Sequence, residues 1–166
     1  MMRARNGNFV LETALWTLLL TVLIAGMVQF GKITYVYYTL KKTVYAAARY
    51  LATQQGTNYC DQADVNIQAA IQFALTGATD GSGTPLIPNL TADMLLVTPE
   101  CVDPSSGTPG PCDFSGCDGD VGSPRPDYIV VSIPNGYLVQ PRIPFLTLDP
   151  IPLKPMVVVP AGGGVS

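Results

Sequence analysis

The sequence predicts an α+β protein with a long N-terminal helix, a short second helix and a small antiparallel sheet joined by long Pro/Gly-rich loops. Three observations carry this. An apolar run from Phe9 to Phe30 holds Glu12 as its only charge. Helical periodicity then continues to Thr53 with no proline to stop it. Beyond residue 80, Pro/Gly-rich stretches alternate with short β-branched segments such as YIVVS and MVVV.

The long helix follows from the apolar run. About 22 residues at 1.5 Å each suffice to cross a hydrocarbon core of ~30 Å, so residues 9–30 are expected to span a membrane, with lipid as a partner. Composition agrees: 48% of residues are hydrophobic and 13% charged, with mean hydropathy +0.29. In soluble domains about a quarter are charged. After Gly31 the apolar positions Ile33, Val36, Tyr37, Leu40, Val44, Ala47, Ala48 and Leu51 fall three or four apart. That spacing predicts one helix from Asn8 to Thr53, ~70 Å long, whose second half leaves the lipid and packs a stripe on other elements. Tyr35, Tyr37, Tyr38, Tyr45 and Tyr50 crowd that half and suit a membrane interface and packing.

Arg3 and Arg5 precede the run and Lys32, Lys41 and Lys42 follow it, so basic-residue counts do not orient it. The four cysteines and the acidic remainder suit an oxidising exterior, which places the short N-terminus in the cytoplasm. A removable secretory signal fits less well. Its apolar core would be shorter, and Ala25–Gly26 is followed by more apolar residues.

In the second helix, expected within GTNYCDQADVNIQAAIQFALTG, Asp61 reads as the N-cap, Asp64 as a first-turn acid and Gly77 as the stop. Ala63, Ile67, Ala70, Ile71 and Ala74 mark its apolar face. DMLLVTPEC reads as a strand ending at Pro99, and DYIVVSIP and MVVVP as further strands. YLVQPRIPFLTLDPIPLKP reads as edge or extended structure because proline cannot donate to a ladder. Residues from about 102 to 126 read as a loop excursion.

Cys60, Cys101, Cys112 and Cys117 allow three pairings. Closeness in sequence favours Cys112 with Cys117, which leaves Cys60 with Cys101. Zinc is disfavoured, because only Cys112 and Cys117 have a knuckle-like spacing and the chain has no histidine. Asp113, Asp118 and Asp120 lack the closing glutamate of a calcium loop. No cofactor is expected. The net charge of −3, with no clustered basic face, argues against nucleic acid. Without histidine, and with no nucleophile–base pair among the other side chains, the chain is not expected to be an enzyme.

RARNG-NFVLE has a short basic leader, a glycine and an acid five residues after it. It resembles the type IV prepilin signal, and the resemblance implies cleavage by a membrane prepilin peptidase between Gly7 and Asn8. The apolar run, Gly26, Gln29, Phe30 and Gly31, and then Ala47, Ala48, Arg49 and Tyr50, resemble the N-terminal region of TadE-like pilin proteins. Gln29 stands where that family often has an acid, and the C-terminus departs from its alanine-rich ending. The resemblance implies a pilin-like fold and a minor pilin or pseudopilin of a type IV or Tad-type pilus. It also implies other pilin subunits and the inner-membrane pilus assembly machinery as partners, and a place in a surface filament after assembly. Its domains would be a leader at 1–7, a helix at 8–54 and an outer α+β domain at 55–166. Glu12, one turn from the Asn8 ammonium, would set the register between subunits. The alternatives are that Glu12 only snorkels to headgroups, that the chain is an unprocessed single-pass protein whose outer domain binds a partner, or that it is the main shaft pilin.

Overall fold

The computed structural model describes residues 4–112, 117, 125–143 and 146–162. It has the predicted α+β layout: a long N-terminal helix, a short helix and a small antiparallel sheet. Helix α1 runs Ala4–Thr53 and α2 runs Val65–Thr76, followed by a 3-10 turn at Ala92–Met94. The strands are β1 Leu96–Val102, β2 Pro109–Pro111, β3 Tyr128–Ser132, β4 Tyr137–Val139, β5 Arg142–Ile143, β6 Leu146–Thr147, β7 Ile151–Leu153 and β8 Met156–Pro160. The chain divides into two compact units: Met1–Val36 with Leu138–Ile151, and Tyr37–Tyr137 with Pro152–Ser166.

In the second unit the main sheet has the order β2-β1-β3-β8, antiparallel throughout. The inward face is read directly from register. Val97, Val131 and Val157 align across three strands, as do Pro99, Ile129 and Val159. All these valines and Ile129 are buried, while Met156 and Val158 on β8 face outward. The α1 stripe expected from spacing is closed at Leu40, Val44, Ala47, Ala48 and Leu51, each fully buried. Each larger side chain of that stripe contributes about 1.5–3 kcal/mol by leaving water. Ile67, Ala70, Ile71 and Ala74 of α2 are buried as anticipated, whereas Ala63 is exposed and precedes the helix. Tyr50 stacks on Phe73, with 5.8 Å between centroids, and ties the two helices together.

Two helix boundaries differ from the expectation. α1 begins at Ala4, so its first turns include Gly7; one glycine costs about 1 kcal/mol, too little to break a long helix. The N-cap of α2 is Asp64, not Asp61. Asp64 Oδ1 accepts from Asn66 N–H at 2.8 Å and Oδ2 from Asn58 N–H at 3.1 Å, whereas Asp61 holds the preceding turn by accepting from Ala63 N–H. Gly77 ends α2 as predicted. Its φ of +81° is one that side-chain-bearing residues resist, and its N–H reaches Phe73 O at 2.8 Å. The end of α1 has three donors. Gln54 N–H and the Tyr59 hydroxyl both donate to Leu51 O, and Arg125 Nη2 donates to Gln54 O, each at 3.1 Å. These occupy carbonyls that a helix end leaves unpaired, and the cation also complements the helix dipole.

Strand β1 does not stop at Pro99 but continues to Val102. Gln62 explains how a proline fits. Its amide donates to Val97 O at 2.6 Å, and its Oε1 accepts from Val97 N–H at 3.3 Å. The backbone groups of residue 97, and by alternation those of 99 and 101, therefore face away from β3. β2 pairs only with Glu100–Val102, so the missing donor of Pro99 falls on a flank with no strand partner.

The expected disulfides are also corrected, to Cys60–Cys117 and Cys101–Cys112. The unforeseen strand β2 is the reason. Its hairpin sets Gly110 opposite Cys101 and Pro111 opposite Glu100, which delivers Cys112 to Cys101. Tyr59 N–H bonds Cys117 O at 2.7 Å and brings the remaining pair together. On chain-entropy grounds the 57-residue closure contributes about 4 kcal/mol and the 11-residue closure about 3. Non-reducing peptide mapping is expected to recover Cys60–Cys117 and Cys101–Cys112 peptides. A Cys112–Cys117 peptide would refute this connectivity.

Burial pushes the Tyr59 phenol above its ordinary value of 10.0, opposed in part by the nearby Arg125. A phenol whose folded value is raised favours folding while protonated, and that contribution is lost as pH rises through the folded value. Alkaline unfolding followed by circular dichroism should therefore begin above pH ~10, and Tyr59→Phe should flatten it. The same variant should cost about 0.5–1.5 kcal/mol at neutral pH through the lost bond to Leu51.

Candidate functional site

The candidate site is the N-terminal half of α1. Every residue from Phe9 to Ile24 is exposed, including Leu11, Leu15, Trp16, Leu18, Leu19 and Leu23. A helix apolar on all sides and uncovered by its own chain requires a non-aqueous surrounding. By length and composition it can cross a membrane. Its hydroxyls suit that setting. Thr13 donates to Phe9 O and Val10 O, Thr17 to Thr13 O at 2.7 Å, and Thr21 to Thr17 O at 2.8 Å. Each is satisfied within the helix, so none needs water.

Glu12 is the exception. It is exposed on the helix, and among the described residues it has no hydrogen bond or ion pair. Gly7 and Asn8 lie one turn before it in the same helix. A carboxylate in lipid is stabilised only by reaching headgroups or by a cation from elsewhere. This arrangement can anchor the chain and offer one buried charge for pairing.

The patch Gly26, Gln29, Phe30 and Gly31 is divided by the structure. Phe30 and Gly31 are exposed, while Gly26 and Gln29 are half-buried, with Gln29 Nε2 donating to Arg142 O at 2.6 Å. That contact, 113 residues apart in the chain, is not visible in sequence. Ala47 and Ala48 are core, Arg49 lies over the Tyr45 ring at 5.8 Å, and Tyr50 packs on Phe73. Tyr35, Tyr38 and Tyr45 are exposed, as interfacial or contact residues would be, and Tyr37 packs edge-on against Tyr38. Among the described residues no group of His, Cys, Asp or Glu could hold a metal. The acids Asp113, Asp118 and Asp120 lie outside the described residues.

Residues 7–49 match the model of a family described as TadE-like protein. The match runs from Gly7 through Glu12 and the Gly26–Gly31 patch to Arg49. The comparison with curated proteins gives no match, and neither does the comparison with solved structures.

The exposed apolar surface leads to a direct expectation. Replacing a central leucine by arginine raises the insertion cost by about 3–4 kcal/mol. Leu18→Arg with Leu19→Arg should therefore abolish retention in carbonate-washed membranes, while the parent chain stays in the pellet.

Proposed function

From this TadE-like N-terminal region we propose that the protein is a structural subunit, not an enzyme: a minor pilin or pseudopilin of a Tad-type pilus. Prepilin peptidase cuts between Gly7 and Asn8 on the cytoplasmic side. The subunit waits in the inner membrane with its disulfide-bonded part outside, then packs through α1 into a surface filament with other pilins, helped by the membrane assembly machinery.

The observation that carries the reading is that α1 leaves its whole apolar circumference, from Phe9 to Ile24, without cover from its own chain, with Glu12 as the sole charge. Lipid covers such a surface before assembly, and neighbouring helices can cover it afterwards. Cleavage frees an ammonium at Asn8, one turn from Glu12. In a bundle the Glu12 carboxylate meets a neighbour's ammonium, because an unpaired charge there is costly, and the pairing fixes the axial offset. Gly7 within helix α1 adds a requirement, since the peptidase must locally open the first turns to reach the bond.

Mass spectrometry of the protein from its native membrane should give a chain beginning at Asn8. Glu12→Ala should insert normally yet lose incorporation into sheared filaments by tenfold or more, the order expected when a buried pair loses one partner at ~1.4 kcal/mol per decade. An intact N-terminus together with normal piliation in Glu12→Ala would overturn the proposal in favour of an unprocessed membrane protein.

A further inference from the structure

We propose that the segment Leu138–Ile151 is a second membrane-contacting element, docked on the C-terminal end of the apolar run with Leu138, Leu148 and Ile151 at the lipid boundary. The inference rests on the reading of α1 as a membrane span.

Burial along α1 is the first observation. The helix is uncovered from Phe9 to Ile24, and then Ala25, Gly26, Gln29, Ile33 and Val36 become half-buried. Those positions fall on one helical face, and they share a compact unit with Leu138–Ile151. Gln29 Nε2 donates to Arg142 O at 2.6 Å and fixes where the segment sits. Ala25, Gly26 and Gln29 belong to the apolar run, which ends at Phe30. Ala25 lies about 7.5 Å inside that end at helical rise. Interfacial elements bury themselves by ~5–10 Å, the same depth.

The chemistry of the segment fits such a place. Backbone at that depth must be satisfied by protein, since water is scarce. Strands β5 and β6 pair with each other, and the Gln29 amide satisfies the Arg142 carbonyl. Pro141 and Pro150 bring no N–H to satisfy. Leu138, Leu148 and Ile151 are 64%, 38% and 41% exposed, an apolar surface that water does not favour and acyl chains do. The Arg142 side chain is exposed and can reach phosphate headgroups from this level. Gln29 is then a polar residue near the end of a span with a defined partner.

Tryptophan quenching by brominated lipid tests this on the full chain. Trp16 is the single tryptophan, so Trp16→Phe gives a silent background. Met27→Trp, Leu148→Trp, Ile151→Trp and Val65→Trp are each added singly and compared in phosphatidylcholine vesicles with and without bromine near the headgroup end of the acyl chains. Met27 is 73% exposed on the helix and reports the span, and Val65, 80% exposed at the start of α2, is the water reference. The expected result is quenching at Leu148 and Ile151 within about twofold of that at Met27, with none at Val65. Quenching at Met27 but at neither Leu148 nor Ile151 would overturn the inference, whether water or a second copy of the chain covers the segment. No quenching at Met27 would overturn the span itself, and this inference with it.

Discussion

The structure depends on one constraint: a single helix must satisfy two solvents. For its first half α1 has apolar side chains on every side and no protein cover, so only lipid or other helices can stabilise it. From Leu40 to Leu51 the same helix has a one-sided stripe that is buried in the protein core. The change happens without a break in the backbone hydrogen bonds, because no proline interrupts residues 4–53. The sheet, α2 and the disulfides are arranged around the second half. The first half is left available.

The far end of α1 is correspondingly well held. Tyr59, Gln54 and Arg125 supply donors to its last carbonyls. Tyr59 is also the neighbour of Cys60, whose bond to Cys117 closes the longer of the two covalent loops. One short stretch, residues 57–64, therefore ends α1, starts α2 through Asp64 and carries a disulfide. A perturbation there reaches both helices, whereas one in the β4–β7 region does not bear on these contacts.

The readable parts of the fold were those encoded locally. The α1 stripe, the α2 face, Gly77 as a stop and the strands YIVVS and MVVVP follow from periodicity and residue type, and the structure has them. Position along the chain misled where a partner was remote. Pro99 looked like a strand end because nothing local reveals that its missing donor faces an unpaired flank. Asp61 and Asp64 are equally good caps by type, and it is the bonds from Asn66 N–H and Ile67 N–H that make the second the cap. Sequence proximity paired Cys112 with Cys117, but the hairpin PGP, too proline-rich to read as a strand, pairs Cys112 with Cys101. In the candidate site Glu12 stood out because a lone acid in an apolar run is costly. The partner of Gln29 could not be read, since no short-range pattern points 113 residues ahead.

Gln62 has a consequence for how copies of this protein can meet. Its amide occupies both backbone groups of Val97, and Pro99 beside it offers no donor, so this flank of β1 is closed to a visiting strand. Wherever copies of a chain meet at high local density, an open sheet edge is a template for disordered pairing. A side-chain amide and a proline remove that route on one flank of the sheet. A strand approaching that flank finds no backbone template, so recognition there falls to side chains.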